Sequence, residues 1–366
     1  MKVRDVMAAI EQLAPAELAY DWDKAGLAIG DPDAVVSRVL VALSVTPETL
    51  QKARKVDAQM IVAHHPPIWS PLTALRTDDP NTKLCLDIAK AEIAVFSAHT
   101  NLDVVPGGVN HVLARRLDLQ RIAPLIPVAH ARQVKLVTFV PEADLAAVRE
   151  AVCGAGAGVI GEYTHCSFST PGTGTFWPGD AANPHLGKKD RLNQEPEHRF
   201  ETLVSEARLG AVIEALMKAH PYEEVAYDVV PLDNNDPSIS LGLRGEIERP
   251  ITLRTFAART REALGVSHVR YNGDPRRKVH RVGVLGGAGG GSVEELPQDI
   301  DVFVTGDVKY HDALTAEMKG LAVIDAGHHG TEKWIVPELS AYLKRTLKDL
   351  KVSSYMEPEP FRVVTK

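Results

Sequence analysis

Short buried strands alternate with helices along the first hundred residues, and this alternation restricts the chain to a small group of folds. Apolar runs predict strands within residues 35–45, 60–63 and 93–98. A threonine N-cap followed by proline predicts a helix over residues 46–55, and a further helix is predicted over 83–91. Strands joined by helices usually pair in parallel, with the helices covering the sheet. We therefore expect an α/β domain with a largely parallel sheet.

The pattern changes in the middle of the chain, where strands and helices follow the order β-α-β-β-α-β. This order is typical of a ferredoxin-like α+β unit of about 100 residues. A glycine- and proline-rich stretch at 171–179 follows the second predicted strand, and we expect it to be a loop. Its Gly-Thr-Gly is interpreted as a turn rather than a phosphate site. The predicted strands lie at 134–140, 166–169, 200–206 and 225–230, and the predicted helices at 142–155 and 209–220.

The α/β pattern resumes after this middle segment, with a helix predicted over residues 253–264 and buried strands after it. The middle unit is therefore expected to be inserted into the α/β domain. We predict three segments: the first half of the core at 1–128, the inserted ferredoxin-like domain at 129–235, and the second half of the core at 236–366.

Two adjacent histidines follow the strand at 60–63, and Pro66 and Pro67 end that strand because neither can donate a backbone hydrogen bond. On an extended segment the side chains of His64 and His65 point to opposite faces. Two metal ions, or one ion and a substrate, therefore suit this pair better than a single ion. Taken alone, the pair also fits a polar strand end with two surface imidazoles.

A second polar cluster follows the strand at 93–98, in a position where open α/β sheets bind ligands. His99, Asn101 and Asp103 alternate, so an extended stretch would place all three side chains on one face. The alternative for Asp103 is a structural role in capping the turn.

A third cluster follows the last predicted buried strand, at 321–326. Glu332 lies four residues after His328, so a helix starting near Gly327 would place both on one face, where they could bind one metal centre. A carboxylate can bridge two ions, which makes Glu332 the better candidate for a bridge. Together the strand-end clusters predict a paired-metal site, in which two ions lie about 3.5–4 Å apart and can activate a water molecule.

Composition excludes several other classes of protein. The net charge of -7, from 41 basic and 48 acidic residues, provides no electrostatic footprint for nucleic acid. The three cysteines are scattered, which suits a reducing compartment. The charged N-terminus does not resemble a signal peptide, and no uncharged apolar run approaches the roughly 18 residues of a membrane span. We expect a cytoplasmic protein without membrane or nucleic-acid partners.

The combination of five motifs resembles the Nif-three-like dinuclear metal-centre proteins, the type-two homologues of GTP cyclohydrolase I. The resemblance covers residues 1 to about 125 and 240–366, and the middle segment is similar to the PII/CutA-like domain of longer bacterial members. The motifs are Asp21-Trp22-Asp23-x-x-Gly26-Leu27, Ala63-His64-His65-Pro66, His99-Thr100-Asn101-Leu102-Asp103, Gly306-Asp307-x-x-x-His311 and Gly327-His328-x-x-Thr331-Glu332.

The resemblance implies a toroidal homohexamer with metal pairs facing an internal cavity. It places the metal ligands at His64, His65, Asp103, His328 and Glu332, with the tandem histidines on different ions and Glu332 as the bridge. His99 matches a motif histidine near the site, and Asp307 and His311 match a motif whose contacts are open. At His329 many members carry an aromatic residue, and a histidine there would add a proton donor.

The function implied by the resemblance is a metal-dependent hydrolase that acts on a nucleotide, a pterin-like ring or a cyclic amide. His99 and His329 are the candidate catalytic residues, as groups that move protons. Imidazole and carboxylate ligands suit two divalent ions of Zn, Fe, Mn, Co or Ni. The alternative is a non-catalytic hexamer that stores, delivers or senses a metal. A DNA-threading ring is a third interpretation, and the negative net charge opposes it.

Overall fold

The computed structural model describes residues 1–364, which divide into two compact units. One unit comprises Met1–Val128 together with the chain from Ile239 onward, and the other is Ala129–Ser238. The inserted unit therefore begins where the predicted segment began and ends at Ser238 rather than at residue 235. No helix within the described chain has the length and hydropathy of a membrane span.

Strands and helices alternate through most of the chain. The strands are β1 (Gly26–Ile29), β2 (Arg38–Ala42), β3 (Met60–Ala63), β4 (Ala94–Ser97), β5 (Gln120–Pro127), β6 (Arg132–Val140), β7 (Ser167–Phe176), β8 (Asn193–Ser205), β9 (Tyr227–Asn235), β10 (Ser240–Thr252), β11 (Arg270–Tyr271), β12 (Lys278–Val284), β13 (Val302–Thr305), β14 (Ala322–Asp325) and β15 (Lys351–Tyr355). The helices are α1 (Val3–Leu13), α2 (Pro47–Lys55), α3 (Pro80–Lys90), α4 (Thr100–Val104), α5 (Val109–Arg116), α6 (Leu145–Gly154), α7 (Leu209–Ala219), α8 (Leu253–Leu264), α9 (Tyr310–Met318), α10 (His328–Glu332) and α11 (Ile335–Thr346).

The first sheet of the core has five strands in the order β1-β4-β3-β2-β15. All neighbours pair in parallel except β1, which runs antiparallel to β4 at the edge. Strands β3 and β4 are buried along their whole length, so they read as continuous apolar runs in the sequence. Because both are parallel, their carboxyl ends bring His64 and His99 to the same edge of the sheet.

The second sheet of the core has six strands in the order β11-β14-β13-β12-β10-β5. Strands β12, β13 and β14 are parallel, and β11, β10 and β5 add antiparallel strands on either side. The carboxyl end of β14 leads into α10, which carries His328 and Glu332. The single largely parallel sheet expected from the sequence is therefore two sheets, of which the first is parallel except at one edge and the second has three antiparallel strands.

The inserted unit is a four-stranded antiparallel sheet in the order β7-β8-β6-β9, with α6 and α7 packed on it. This order and the β-α-β-β-α-β sequence of elements confirm the predicted ferredoxin-like fold. The expected loop at 171–179 is wrong, because residues up to Phe176 continue edge strand β7. Gly174 leaves room for a neighbouring carboxylate, since a Cβ there would lie 2.1 Å from Glu197 Oε2. An acidic group at that place disfavours a phosphate.

Candidate metal centre

The turn after β3 holds the tandem histidines. The backbone N–H of His65 donates to the carbonyl of Leu43 at 2.9 Å, so the loop after β2 fixes the start of this turn. His64 is almost fully buried at 1% exposure, whereas His65 is partly exposed. The two imidazole rings lie 5.0 Å apart between centroids and tilt by 45°. The strand end therefore presents two imidazoles in different directions, as the alternation of an extended segment predicts.

Asp103 reaches the same place by a different local structure from the one expected. The segment after β4 is the short helix α4, not an extended stretch, and the backbone N–H of Asp103 donates to the carbonyl of His99. The Asn101 side chain favours this turn by accepting from the His99 backbone N–H, and its amide donates to Ala14 O. The predicted shared face of His99, Asn101 and Asp103 is wrong, because Asn101 points away while His99 and Asp103 lie one helical turn apart.

Helix α10 carries the last two candidate ligands, His328 and Glu332. It begins immediately after Gly327, whose φ of 77° lies in the region that favours glycine. His328 Nε2 lies 3.1 Å from Glu332 Oε2, one turn later in the same helix. The helix predicted to start near Gly327, with both side chains on one face, is confirmed. Glu332 itself is 4% exposed.

One group of donor atoms surrounds His64 Nε2. This nitrogen lies 3.6 Å from Asp103 Oδ1 and 3.7 Å from Glu332 Oε1. His64 Nε2 and Asp103 Oδ1 are both inaccessible to water, and within residues 1–364 neither has a hydrogen-bond partner. Ligands of one tetrahedral zinc ion lie about 3.4 Å apart when each bond is about 2.1 Å. The three atoms thus have the spacing of metal ligands, and two of them are otherwise unsatisfied.

A second group of donor atoms surrounds the other oxygen of Glu332. His65 Nε2 lies 2.9 Å and His328 Nε2 lies 3.1 Å from Glu332 Oε2, and the two nitrogens are 3.3 Å apart. Each carboxylate oxygen of Glu332 therefore faces a different set of donors. Glu332 therefore lies between two groups of possible metal ligands.

The remaining ring nitrogen of each of these histidines is held by the protein. His64 Nδ1 lies 2.8 Å from Ala98 O, so it carries the proton and leaves Nε2 with a lone pair. Ser44 Oγ binds His65 Nδ1 at 2.8 Å, and Asp307 Oδ2 binds His328 Nδ1 at 2.8 Å. Such outer contacts orient an imidazole and fix the tautomer that binds a metal.

The two carboxyl groups of the centre are shifted in opposite directions. Burial raises the pKa of Asp103 well above 3.8, and the charges of Glu332 and Asp23 raise it further. Burial also acts against ionisation of Glu332, but the imidazole of His328, with those of His64 and His65, holds its pKa well below 4.5. Without cations, ionisation of one carboxyl group therefore opposes that of the other. Bound cations would stabilise both carboxylates, so the donor set fits divalent metal ions.

Comparison with known proteins now gives the family. The model of the Duf34/NIF3 (NGG1p interacting factor 3) family matches residues 1–360. The chain belongs to the Duf34/NIF3 family. A Halalkalibacterium halodurans protein named GTP cyclohydrolase 1 type 2 homolog is 39% identical over 365 residues, covering 98% of each chain. A Bacillus subtilis protein of the same name is 40% identical over 327 residues, which is 89% of this chain and 88% of that one.

Solved structures agree with this assignment. A Bacillus cereus protein related to NIF3 is 38% identical, with a TM-score of 0.89 over 100% of this chain and 99% of that chain. The Staphylococcus aureus protein SA1388 is 27% identical, with a TM-score of 0.73 over the same shares. The resemblance to Nif-three-like proteins, and the α/β core with an inserted ferredoxin-like unit, are confirmed.

In this Duf34/NIF3 chain His99 lies beside the centre. Its Nδ1 is 2.7 Å from Asp23 Oδ1, and its ring centroid is 5.2 Å from that of His64 and 5.8 Å from that of His65. Burial raises the pKa of Asp23, but hydrogen bonds from His99 and Thr100 outweigh it and lower that pKa to about 2. An ionised Asp23 therefore fixes the His99 ring, and one ring nitrogen of His99 lies within 4.8 Å of a ring nitrogen of His64 and of one of His65.

His329, the other candidate catalytic residue, lies against the C-terminal segment. Its Nε2 donates to Glu357 O at 2.8 Å, and its Nδ1 is 3.5 Å from Glu359 Oε2. Its catalytic role stays a prediction. Asp307 contacts His328, as described above, whereas His311 is exposed and its ring packs against Tyr310.

Several functional residues of this Duf34/NIF3 chain were not identified from the sequence. Ser44 supports His65, and its backbone N–H in turn donates to Glu357 Oε1 at 2.8 Å. Trp22 and Trp69 lie beside His99, with ring centroids 6.4 Å and 5.6 Å away. The Asp-Trp-Asp motif contained a signal for Trp22 and Asp23, but no local pattern connects Ser44 or Glu357 to the centre.

Proposed function

We propose that this chain is a metal-dependent hydrolase with a dinuclear centre. The observation that carries the proposal is the pair of donor groups that share Glu332, with His64 Nε2 and Asp103 Oδ1 buried and unsatisfied among the described residues. When bound, two divalent ions supply Lewis-acid polarisation of a substrate oxygen and lower the pKa of water. The relatives' shared name, GTP cyclohydrolase 1 type 2 homolog, supports a hydrolytic reaction.

Each residue of the centre has a separate task in this proposal. His64 and Asp103 would hold one ion, His65 and His328 would hold the other, and Glu332 would contribute to both. Imidazole and carboxylate donors without thiolate suit Zn, Fe, Mn, Co or Ni.

His99 is the proposed proton-transfer residue. Asp23 binds its Nδ1, so the proton that moves during the reaction is carried at the other ring nitrogen, Nε2. The His99 ring lies 5.2 Å from that of His64 and 5.8 Å from that of His65. The Asp23 side chain is 1% exposed, so its carboxylate holds the ring without competition from water. A held imidazole with one free nitrogen can both accept and return a proton in one orientation.

The substrate is proposed to be a nucleotide, a pterin-like ring or a cyclic amide. The name of the relatives supports a nucleotide-related substrate, and the centre supports any of these because each has a carbonyl, amidine or phosphoryl group that a metal ion can polarise. A hydrolysis screen across these compounds, with protein loaded separately with each metal, decides between them.

The first test measures metal content and hydrolysis together in wild-type protein, Glu332→Ala and His65→Ala. We expect about two ions per wild-type chain, a large loss in Glu332→Ala, and a smaller loss in His65→Ala because only one donor group is affected. Hydrolysis disappears in both variants. The exposed His268 of the same unit provides the control, and His268→Ala retains metal and hydrolysis. Full metal content in Glu332→Ala contradicts the shared centre. Metal without turnover on any substrate favours the metal-storing or sensing alternative.

A further inference from the structure

Two tryptophans next to the centre are unusually exposed. Trp22 is 56% exposed and Trp69 is 53% exposed, although tryptophan is on average a highly buried residue. Trp22 stacks on Tyr20, with ring centroids 5.6 Å apart and planes 14° from parallel. The Trp22 ring is therefore supported on one face by the protein, and it is not a loosely placed surface side chain.

The two indoles form an open corner rather than a closed pair. Their ring centroids are 6.0 Å apart, and their planes are inclined by 58°. A planar ring that stacks on one indole would present its edge to the other, and both offset stacking and edge-to-face contact are favourable between aromatic rings. The corner is thus suited to one flat ring rather than to a flexible aliphatic chain.

His99 connects this corner to the metal donors. Its ring meets Trp69 edge to face at 5.6 Å and 85°, and meets Trp22 at 6.4 Å and 79°. The same ring lies 5.2 Å from the ring of His64 and 5.8 Å from that of His65. A molecule held at the two indoles would therefore contact the proton-transfer residue and lie next to the centre.

A cavity adjoins Trp69 and gives room for the rest of such a molecule. The chain from residue 64 to residue 79 contains no helix or strand, and loops of this length are commonly functional. Together with the start of α3, this loop lines a cavity of about 720 Å³, within the size range of small-molecule sites. Ser70, Thr73 and Asn81 are among the lining residues and offer hydrogen-bonding groups for polar substituents.

We propose that Trp22 and Trp69 bind the planar heteroaromatic ring of the substrate, such as a purine or a pterin, beside His99. This inference rests on the proposed function, because it assigns a substrate class to the same site. The two indoles would favour substrates with a flat ring over simple phosphoesters and non-aromatic cyclic amides, because only a flat ring can stack on them. An aromatic side chain can stack on any base, because every base has a flat π-face. The indoles therefore select for a flat ring, and the polar groups of the cavity select among its substituents.

The test uses zinc-loaded protein with guanosine, 6-methylpterin and ribose as probes, measured by calorimetry and by quenching of tryptophan fluorescence. The variants are Trp22→Ala, Trp69→Ala and Trp22→Phe. The exposed Trp177 of the inserted unit provides the matched control, Trp177→Ala. We expect a loss of about 10- to 100-fold in affinity for guanosine or 6-methylpterin in each alanine variant of Trp22 and Trp69. Trp22→Phe and Trp177→Ala bind nearly as wild type, and ribose does not bind.

Metal content and oligomeric mass are measured for the same samples. Ring binding that depends on both indoles, without any hydrolysis, supports this inference and contradicts the hydrolase proposal. Hydrolysis of a non-aromatic ester that both alanine variants leave unchanged, with no binding of either heteroaromatic probe, overturns the inference and leaves the hydrolase standing. The inference is also overturned if wild-type protein binds neither heteroaromatic probe and Trp22→Ala has a changed oligomeric mass. That result assigns the indoles to a contact between copies of the chain.

Discussion

At the scale of single residues, Asp307 shows how a side chain outside the ligand set controls one of the ligands. Its backbone has a φ of 53°, a conformation that asparagine and aspartate tolerate better than most residues. From there its carboxylate binds His328 Nδ1 at 2.8 Å. Burial lowers the pKa of His328, but Glu332 and, to a smaller extent, Asp307 outweigh it and raise that pKa to about 9. Asp307 therefore adds to the basicity of a candidate metal-binding imidazole and fixes its orientation.

Asp307→Asn tests this role because it removes the charge but keeps the shape and the backbone preference. We expect affinity for the ion that His328 would hold to fall by about 10- to 100-fold, as is typical when an outer partner of a metal-binding histidine is changed. Competition with a chromogenic chelator measures the affinity. Asp299→Asn, which changes an exposed carboxylate paired with Arg244, is the control. Equal affinity in Asp307→Asn and wild type would show that Asp307 does not act through His328.

The sequence was sufficient to identify the side chains that the structure brings together as donors. They could be recognised because they lie in the short segments that follow buried strands and because they match the motifs of the Nif-three-like family: His64, His65, Asp103, His328 and Glu332. Their supporting partners could not be recognised in the same way. Ser44 is 21 residues from His65, and Asp23 is 76 residues from His99, so only the folded sheet establishes those contacts.

At the scale of elements, prediction succeeded where one periodic pattern decides the structure. Helix α8 has the predicted bounds Leu253–Leu264, and β3 has the predicted bounds Met60–Ala63. Strands β5 and β15 were not predicted. Strand β5 contains Pro124 and Pro127 and is mostly exposed, which is tolerated because it forms the edge of its sheet. Strand β15 has only five residues, and its place beside β2 is a long-range pairing that no local signal specifies.

The residue that follows helix α7 is a buried histidine, His220, and it predicts that the inserted unit loses stability in acid. His220 Nε2 donates to Phe139 O at 3.0 Å, while its Nδ1 accepts from the backbone N–H of Tyr222 at 3.2 Å. Burial lowers the pKa of His220 below its ordinary value of 6.5. Protonation of His220 Nδ1 would also break the hydrogen bond that this nitrogen accepts from the backbone N–H of Tyr222. The folded unit therefore contains the neutral imidazole.

The sign of the pH effect follows from this lowered pKa. Just below pH 6.5 the unfolded chain binds a proton that the folded unit does not, so the free energy of unfolding falls as the pH is lowered. Above that pH the contribution of His220 is fully present. We expect His220→Gln to lose less stability than wild type between pH 7 and about pH 5. Hydrogen exchange of the α6 and α7 amides measures the unfolding free energy of this unit. The control is His130→Gln, at an exposed position of the same unit, which is expected to follow the wild type. If the unfolding free energy changes equally with pH in all three proteins, His220 is not the cause of the pH effect.

At the scale of the whole molecule, the inserted unit occupies the place of a hairpin turn. Strands β5 and β10 pair antiparallel with Pro127 opposite Ser240, so the same register places Val128 opposite Ile239. Residues 129–238 form a unit with its own hydrophobic core. Both ends of the insertion therefore lie at one hairpin position, where a two-residue Asn-Gly turn would join the strands.

Replacement of residues 129–238 by Asn-Gly tests whether the metal-binding core needs the inserted unit. We expect the shortened chain to fold and to retain about the same metal content per chain, because all donors of the centre lie outside the deleted segment. Circular dichroism and elemental analysis measure the two properties. A shortened chain that is unfolded, while the same chain with residues 129–238 restored folds, contradicts independence of the core.

Assembly into a homohexamer is also a proposal at this scale. Helix α9 supports it, because Tyr310, Leu314 and Met318 lie on one side of the helix at four-residue spacing and are 73%, 38% and 81% exposed. An exposed apolar stripe of this kind marks a contact surface. We expect the double variant Leu314→Glu/Met318→Glu to have a lower mass than wild type in analytical ultracentrifugation. Glu317→Gln on the same helix is the control, and a hexamer in the double variant would exclude α9 from the assembly contacts.

The wide separation of the metal donors has a consequence for synthesis of the protein. His65 and Glu332 are 267 residues apart, so at roughly 5 to 20 residues per second a ribosome needs about 15 to 50 s to pass from one to the other. During that interval the nascent chain exposes its tandem histidines without the carboxylate that joins the two donor groups. The final strand, β15, which completes the first sheet beside β2, is translated later still. If the proposed metal pair is bound, its loading would therefore come late in synthesis or after it, and a chain interrupted before Glu332 would lack the shared donor.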